Sequence, residues 1–174
     1  MTNKNIISII FLMVLLVVLL SCSSDNDTLI VFEDSSQKLS EWDNYLSQLG
    51  KIDRTNKTIV LFVRSIDCEV YKSEIKWWDK KFEYNNEYEV VLVILEKYKR
   101  YYKASLNDLN VKIFSLQDKN HLVLDNNLIY SIPSKVFLDR SNKEIVLSSM
   151  GTQESINNFL EYLYPDSLSP NPSR

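Results

Sequence analysis

Two segments, Ile59-Val60-Leu61-Phe62-Val63 and Val90-Val91-Leu92-Val93-Ile94-Leu95, are apolar at every position. Successive side chains of a strand point to opposite faces, so a strand that is apolar throughout needs cover on both sides, as in parallel sheets held between layers of helix. The residues between them follow another period. Over 70–86, Tyr71, Ile75, Trp78 and Phe82 recur at helical spacing, while Lys72, Lys76, Asp79 and Lys80 fall elsewhere. Strand, amphipathic helix and strand make a βαβ unit, whose crossover is expected to be right-handed. That unit confines the chain to the α/β class.

Further strands are expected over 28–32, 111–116, 135–138 and 144–148, and further amphipathic helices over 39–49 and 154–164, the last stopped by Pro165. Only Asp139-Arg140-Ser141-Asn142-Lys143 joins the last two strands, which suits an antiparallel hairpin and hence a mixed sheet. Trp77 and Trp78 cannot both face one core. Trp78 continues the apolar stripe, and Trp77 is expected at its edge, beneath the N-terminal helix. One domain over 28–164 follows, since a chain of this size buries about 70% of its unfolded surface in a single core. The Pro- and Ser-rich segment 165–174 reads as a frayed tail.

The N-terminus has a separate logic. Lys4 precedes an apolar run over 6–20, and Leu19-Leu20-Ser21-Cys22 ends it with a small residue before cysteine. This is the layout of a secretory leader, and its end resembles the lipobox of bacterial lipoproteins. The resemblance implies a signal peptide over 1–21, lipid (palmitate) attachment at Cys22, a polar tether over 22–27, and an extracytoplasmic protein anchored to the membrane of a bacterial envelope. Ser23 differs from the inner-membrane retention signal of enterobacterial lipoproteins, and the acidic tether is similar to export signals of the Bacteroidetes, which favours the outer membrane. A transmembrane anchor is the alternative, but the run of about 15 residues is short of the ~20 that a spanning helix needs.

Loss of 1–21 removes Lys4 and no acid, so the formal net charge moves from −3 to −4 over the remaining 153 residues. A mild acidic excess argues against nucleic acid as a partner. His121 is the single histidine and stands in a polar turn, and no His, Cys or acidic cluster has metal-ligand spacing. Gly50 and Gly151 alone cannot make a glycine-rich phosphate loop. Neither a metal nor another cofactor is expected.

Cys68 is then the sole thiol left free, which excludes a disulfide within the mature chain. It stands where the strand 59–63 gives way, through Arg64-Ser65-Ile66-Asp67, to the helix that follows. The positive end of a helix dipole favours the thiolate, the nucleophilic form, while Asp67 and Glu69 oppose it. The alternative is a small apolar side chain filling the strand–helix junction.

Strand, cysteine at a helix start, strand, an Ile-Pro step, hairpin and closing helix is also an order of elements that resembles the thioredoxin fold. Tyr130-Ser131-Ile132-Pro133-Ser134-Lys135-Val136-Phe137-Leu138-Asp139 is similar to the segment around the cis-proline of that family, nearest to the TlpA and AhpC/TSA types. The resemblance spans about 57–164. It implies an α/β fold, a thioredoxin-like three-layer sandwich with a central mixed sheet, in which the cis-proline loop faces the cysteine and Ile132 offers backbone groups to a bound peptide. An ordinary trans Pro133 opening an edge strand is the alternative.

The departures from the family matter as much. Its redox motif carries two cysteines, whereas here the residues are Asp67-Cys68-Glu69-Val70-Tyr71, with tyrosine in the resolving position. What survives is monothiol chemistry, in which Cys68 forms a mixed disulfide with a partner, Ile132 and Pro133 orient that partner, and Tyr71 shields the sulfur. The competing reading is a redox-inactive module that binds a peptide or protein in the same cleft. A one-cysteine peroxidase is less favoured: the motif Pro-x-x-x-Thr/Ser-x-x-Cys is matched at Ser65 and Cys68, but Leu61 replaces the proline, and Arg64 and Arg140 are the candidate cations. Lys97-Tyr98-Lys99-Arg100-Tyr101-Tyr102-Lys103 follows the second buried strand, at the sheet end where α/β ligands gather. It is either a solvated helix start or a docking site for an acidic partner.

Overall fold

A computed structural model of the protein describes residues 29–50, 55–64, 68–85 and 87–165. The expected leader over 1–21, Cys22 with the expected tether, Ser65, Asp67 and the expected tail beyond 165 lie outside the described residues.

Among the described residues, six strands form one mixed sheet: β1 (Ile30–Phe32), β2 (Lys57–Val63), β3 (Glu89–Ile94), β4 (Phe114–Gln117), β5 (Ser134–Asp139) and β6 (Glu144–Ser149). Their order is β1-β6-β5-β2-β3-β4. The two fully apolar strands lie side by side and parallel, with Val63 opposite Ile94. β5 runs antiparallel to β2 and makes the expected hairpin with β6. The short β1 closes one edge, antiparallel to β6.

Helices cover both faces. On one lie α1 (Ser36–Leu49) and the short α4 (Leu122–Asp125), with Leu39, Trp42, Tyr45 and Leu46 packed on Val60, Phe62, Val91, Val93 and Val136. On the other lie α2 (Glu69–Phe82), α3 (Lys99–Leu109) and α5 (Gln153–Leu163), with Ile75, Trp78, Phe82, Leu109 and Phe159 against Ile59, Leu61, Leu92 and Phe137. Alternate residues of β2 thus enter different cores, as an apolar strand buried on both sides requires. Burial of one large side chain contributes about 1.5–3 kcal/mol, and these two cores are the main source of stability.

Two local expectations are corrected. The strand expected from residue 111 begins at Phe114, because the backbone N–H groups of Lys112 and Ile113 donate to Asp79 Oδ1, both at 2.9 Å, and so leave the ladder. Trp77 packs edge-on against Trp78, at 5.0 Å between ring centroids, in the α2 core. α1 sits on the opposite face, so Trp77 does not lie beneath it.

The turn after β4 is organised by Asp118, which is fully buried. Its carboxylate accepts from the backbone N–H of Leu122 (3.0 Å) and Val123 (3.1 Å) and from the Tyr45 hydroxyl (3.1 Å). This ties α4 to α1. Burial first, and the Asp118 carboxylate second, push the Tyr45 phenol far above its ordinary value.

Candidate thiol site

Cys68 occupies the N-cap of α2 with extended backbone (φ −88°, ψ 118°), and its side chain makes no capping hydrogen bond. The carbonyl of Cys68 accepts the first helical bond, from Lys72 N at 3.2 Å. A side chain that does not cap leaves its sulfur available, and Cys68 is a free, half-buried thiol. Glu69 is the acid of the first turn. Its charge does not act alone, because Lys72 Nζ lies 3.0 Å from Glu69 and 2.7 Å from Asp108. Asp108 first and Glu69 next raise the Lys72 ammonium above its usual value.

The Ile132–Pro133 peptide is cis, as the family resemblance implies. Ser134 pairs with Phe62 across the β5–β2 ladder. The Ile-Pro step therefore meets the sheet at the end where β2 leaves toward Cys68. Ile132 is half-buried and packs on the α1 core, and Pro133 is half-buried beside it. Ser149 pairs with Ser134 from the other side, so the loop after β6 reaches the same end.

That loop touches the cysteine helix. Gly151 has φ +115°, and a Cβ built there would lie 2.7 Å from Tyr71 Cε1 and 3.5 Å from Val70 Cγ1. Tyr71, expected to shield the sulfur, thus lays its ring over Gly151.

Beneath these segments lies a buried ion pair that the hydropathy pattern did not single out. Lys135 Nζ donates to Glu74 Oε1 (2.9 Å), Ser149 O (2.8 Å) and Ser155 Oγ (2.5 Å), and the two charged side chains are 0% and 2% exposed. Glu74 Oε1 also accepts from Trp78 Nε1 (3.1 Å), and Glu74 Oε2 from the Gly151 N–H (2.6 Å). Charge-assisted hydrogen bonds on every side are what two ions need to stay charged away from water. A signal was present: Glu74 shares the inward stripe of Trp78 at i,i+4, and Lys135 alternates onto the face of Phe137.

The other candidates do not share one place. Arg140, a candidate cation for Cys68, follows Asp139, which pairs with Lys57 at the opposite end of the sheet. It binds Asp43 Oδ1 (2.6 Å), Thr55 O (2.8 Å) and Thr58 Oγ1 (2.9 Å), and it serves to join α1 to the strand ends. Arg64 directly follows β2 and is exposed. The run 97–103 does start at the Cys68 end, since β2 and β3 are parallel, and Tyr98 and Tyr101 are exposed with Lys97 and Arg100 stacked near their rings. Among the described residues, no group of His, Cys, Asp and Glu could hold a metal ion, and no helix is long and apolar enough to cross a membrane.

A cavity of about 410 Å³ opens beside the Ile-Pro step, lined by Ile129, Tyr130, Ser131 and Ser134 with Ile30 and Leu147 at the sheet edge. Tyr130 is 71% exposed at this cavity, whereas the Ser134 hydroxyl is buried without a hydrogen-bond partner. A larger cavity, about 770 Å³, lies at the far end around Lys57, Asp139 and Glu144.

No protein-family model matches the sequence, and no curated protein matches it. Solved structures do resemble it. A thiol-disulfide oxidoreductase from Bacteroides fragilis superposes with a TM-score of 0.52 at 15% identity, over 63% of this chain and 82% of that one. A candidate protein disulfide isomerase from Bacteroides thetaiotaomicron gives 0.53 at 18% identity, over 68% and 75%. A candidate thiol:disulfide interchange protein DsbE from Chlorobium tepidum gives 0.52 at 14% identity, over 62% and 78%. At such identities the shared property is the fold, which is thioredoxin-like.

Proposed function

We propose that this chain is an envelope lipoprotein, extracytoplasmic and held to the outer membrane through a lipidated Cys22, whose thioredoxin-like domain performs thiol redox chemistry through Cys68 alone. The observation that carries the reading is an uncapped, half-buried thiol at the start of α2, at the sheet end that also bears the Ile132–Pro133 step. The names of the structural neighbours support it by analogy of fold.

In the proposed reaction the Cys68 thiolate attacks one sulfur of a partner's disulfide. A bond forms between Cys68 and that sulfur as the partner's S–S bond breaks, and the departing thiolate takes up a proton equal to the one Cys68 gave to solvent. Ile132 supplies backbone pairing to the partner segment, and Pro133 and Tyr71 flank it. Release needs a thiol from outside this motif, since tyrosine stands in the resolving position.

Mixed-disulfide trapping tests this. The parent chain should accumulate a covalent complex with a disulfide-bearing peptide and react with iodoacetamide at neutral pH faster than a free cysteine does. Cys68→Ser should abolish trapping. An inert thiol in the folded parent would remove the redox reading. The cavity beside the Ile-Pro step, with exposed Tyr130 at its rim, favours one second reading, a binding module without turnover. Under that reading Cys68→Ser leaves peptide affinity unchanged.

A further inference from the structure

Three separate segments frame the Cys68 end of the sheet: the first turn of α2, the Ile132–Pro133 step that opens β5, and the Gly151 loop between β6 and α5. No backbone ladder joins α2 to the other two, because a helix packs on a sheet through side chains alone. Apolar contacts are non-directional and tolerate sliding. The Glu74–Lys135 pair is different.

Lys135 lies two residues past Pro133 and Glu74 lies on the cysteine helix, and a 2.9 Å charge-assisted bond connects them. Each ion also reaches the third segment: Glu74 Oε2 takes the Gly151 N–H at 2.6 Å, while Lys135 Nζ donates to Ser149 O at 2.8 Å and to Ser155 Oγ at 2.5 Å. Ser155 is itself held by the Thr152 cap of α5 (Ser155 N to Thr152 Oγ1, 2.9 Å) and by Ser149 O (2.6 Å). Hydrogen bonds fix distance and direction together, and in a dry interior they do so strongly. A pair of apolar residues would fill the same volume, often at no loss of stability.

We infer that Glu74 and Lys135 are positioning residues, which lock the cis-proline step and the Gly151 loop onto the cysteine helix so that a partner chain laid along the Ile132 backbone presents its disulfide to Cys68. The inference rests on the thiol reading above. It concerns the cleft rather than the sulfur, and the two can be measured apart.

The experiment uses the full chain with Cys22→Ser, so that Cys68 is the single thiol, and two probes that both release thiopyridine. One is dithiodipyridine, which needs only an accessible thiolate. The other is an extended peptide carrying a thiopyridyl disulfide, which also needs the cleft. In the charge-balanced double variant Glu74→Gln with Lys135→Met, reaction with dithiodipyridine should stay within about twofold of the parent while the peptide reaction slows at least tenfold, about 1.4 kcal/mol in the barrier. An unchanged ratio in a folded double variant overturns the inference, as does an equal fall of both rates. Should that variant not fold, Ser155→Ala and Trp78→Phe each remove one hydrogen bond from the pair. Each should lower the ratio about threefold, and a constant ratio overturns the inference. A parent chain that reacts with dithiodipyridine but shows no preference for the peptide removes the positioning role alone. A parent inert to both removes the thiol reading and the inference with it.

Discussion

At Gly151 the space above the backbone is already taken by the Tyr71 ring, and the backbone angle lies where side chains other than hydrogen are strained. Gly151→Ala is expected to lower stability by about 1–3 kcal/mol, read as a shift of the urea midpoint. Gly50, whose backbone is extended, should tolerate alanine better, with one contact of 3.0 Å to Leu116 Cδ2 to relieve. Lys135→Met alone should cost more, about 3–5 kcal/mol, because it strands the Glu74 carboxylate, and adding Glu74→Gln should recover most of that loss in the same measurement. Single residues were unevenly legible in the sequence. Pro133 announced itself through its neighbours and Cys68 through its place after a buried strand. The members of the ion pair each stood on an inward face, but their pairing was hidden, because they are 61 positions apart and it takes the β2–β5 pairing to bring them together.

Elements were easier to foresee where one face was strongly apolar. The two central strands, α1, α2 and α5 all appear within a few residues of their expected bounds. α3 was seen only as a start, since its composition is the most polar of the longer helices and Leu109 is its single buried residue. β4 begins late because Asp79, on a distant helix, takes two of its backbone donors. α4 owes its existence to Asp118. Asp118→Ala should leave a buried phenol and two N–H groups without an acceptor, at about 1–3 kcal/mol for each group left unsatisfied, with rapid amide exchange localised to α4 as the check. Thr152→Ala removes the cap of α5 and should cost about 1 kcal/mol by chemical denaturation.

Over the whole molecule, alkaline pH is where the fold should be most fragile. Burial raises the phenol of Tyr45 far above ordinary, pushes Tyr88 up to about 12, and raises Tyr162 and Tyr164 as well. A folded-state value above the unfolded one means that the unfolded chain releases its protons first as pH rises. Stability is therefore complete below about pH 10, the value for a free tyrosine, and falls above it, by about 1.4 kcal/mol per pH unit for Tyr45 alone. Urea midpoints compared at about pH 8 and about pH 11 should show this loss, and Tyr45→Phe should reduce it.

β1 is only three residues long, yet its direction has a geometric corollary. Ile30 pairs with Leu147 and Phe32 with Ile145, while Ser149, two residues further along β6, pairs with Ser134 at the Ile-Pro end. The chain thus enters the sheet from the side on which Cys68 stands. Under the lipid anchor proposed at Cys22, six residues separate that cysteine from Leu29, a leash of about 25 Å even when fully extended. So short a leash would hold the thiol on the bilayer side of the domain, within reach of disulfides carried close to the membrane surface and out of reach of those that diffuse past the far pole.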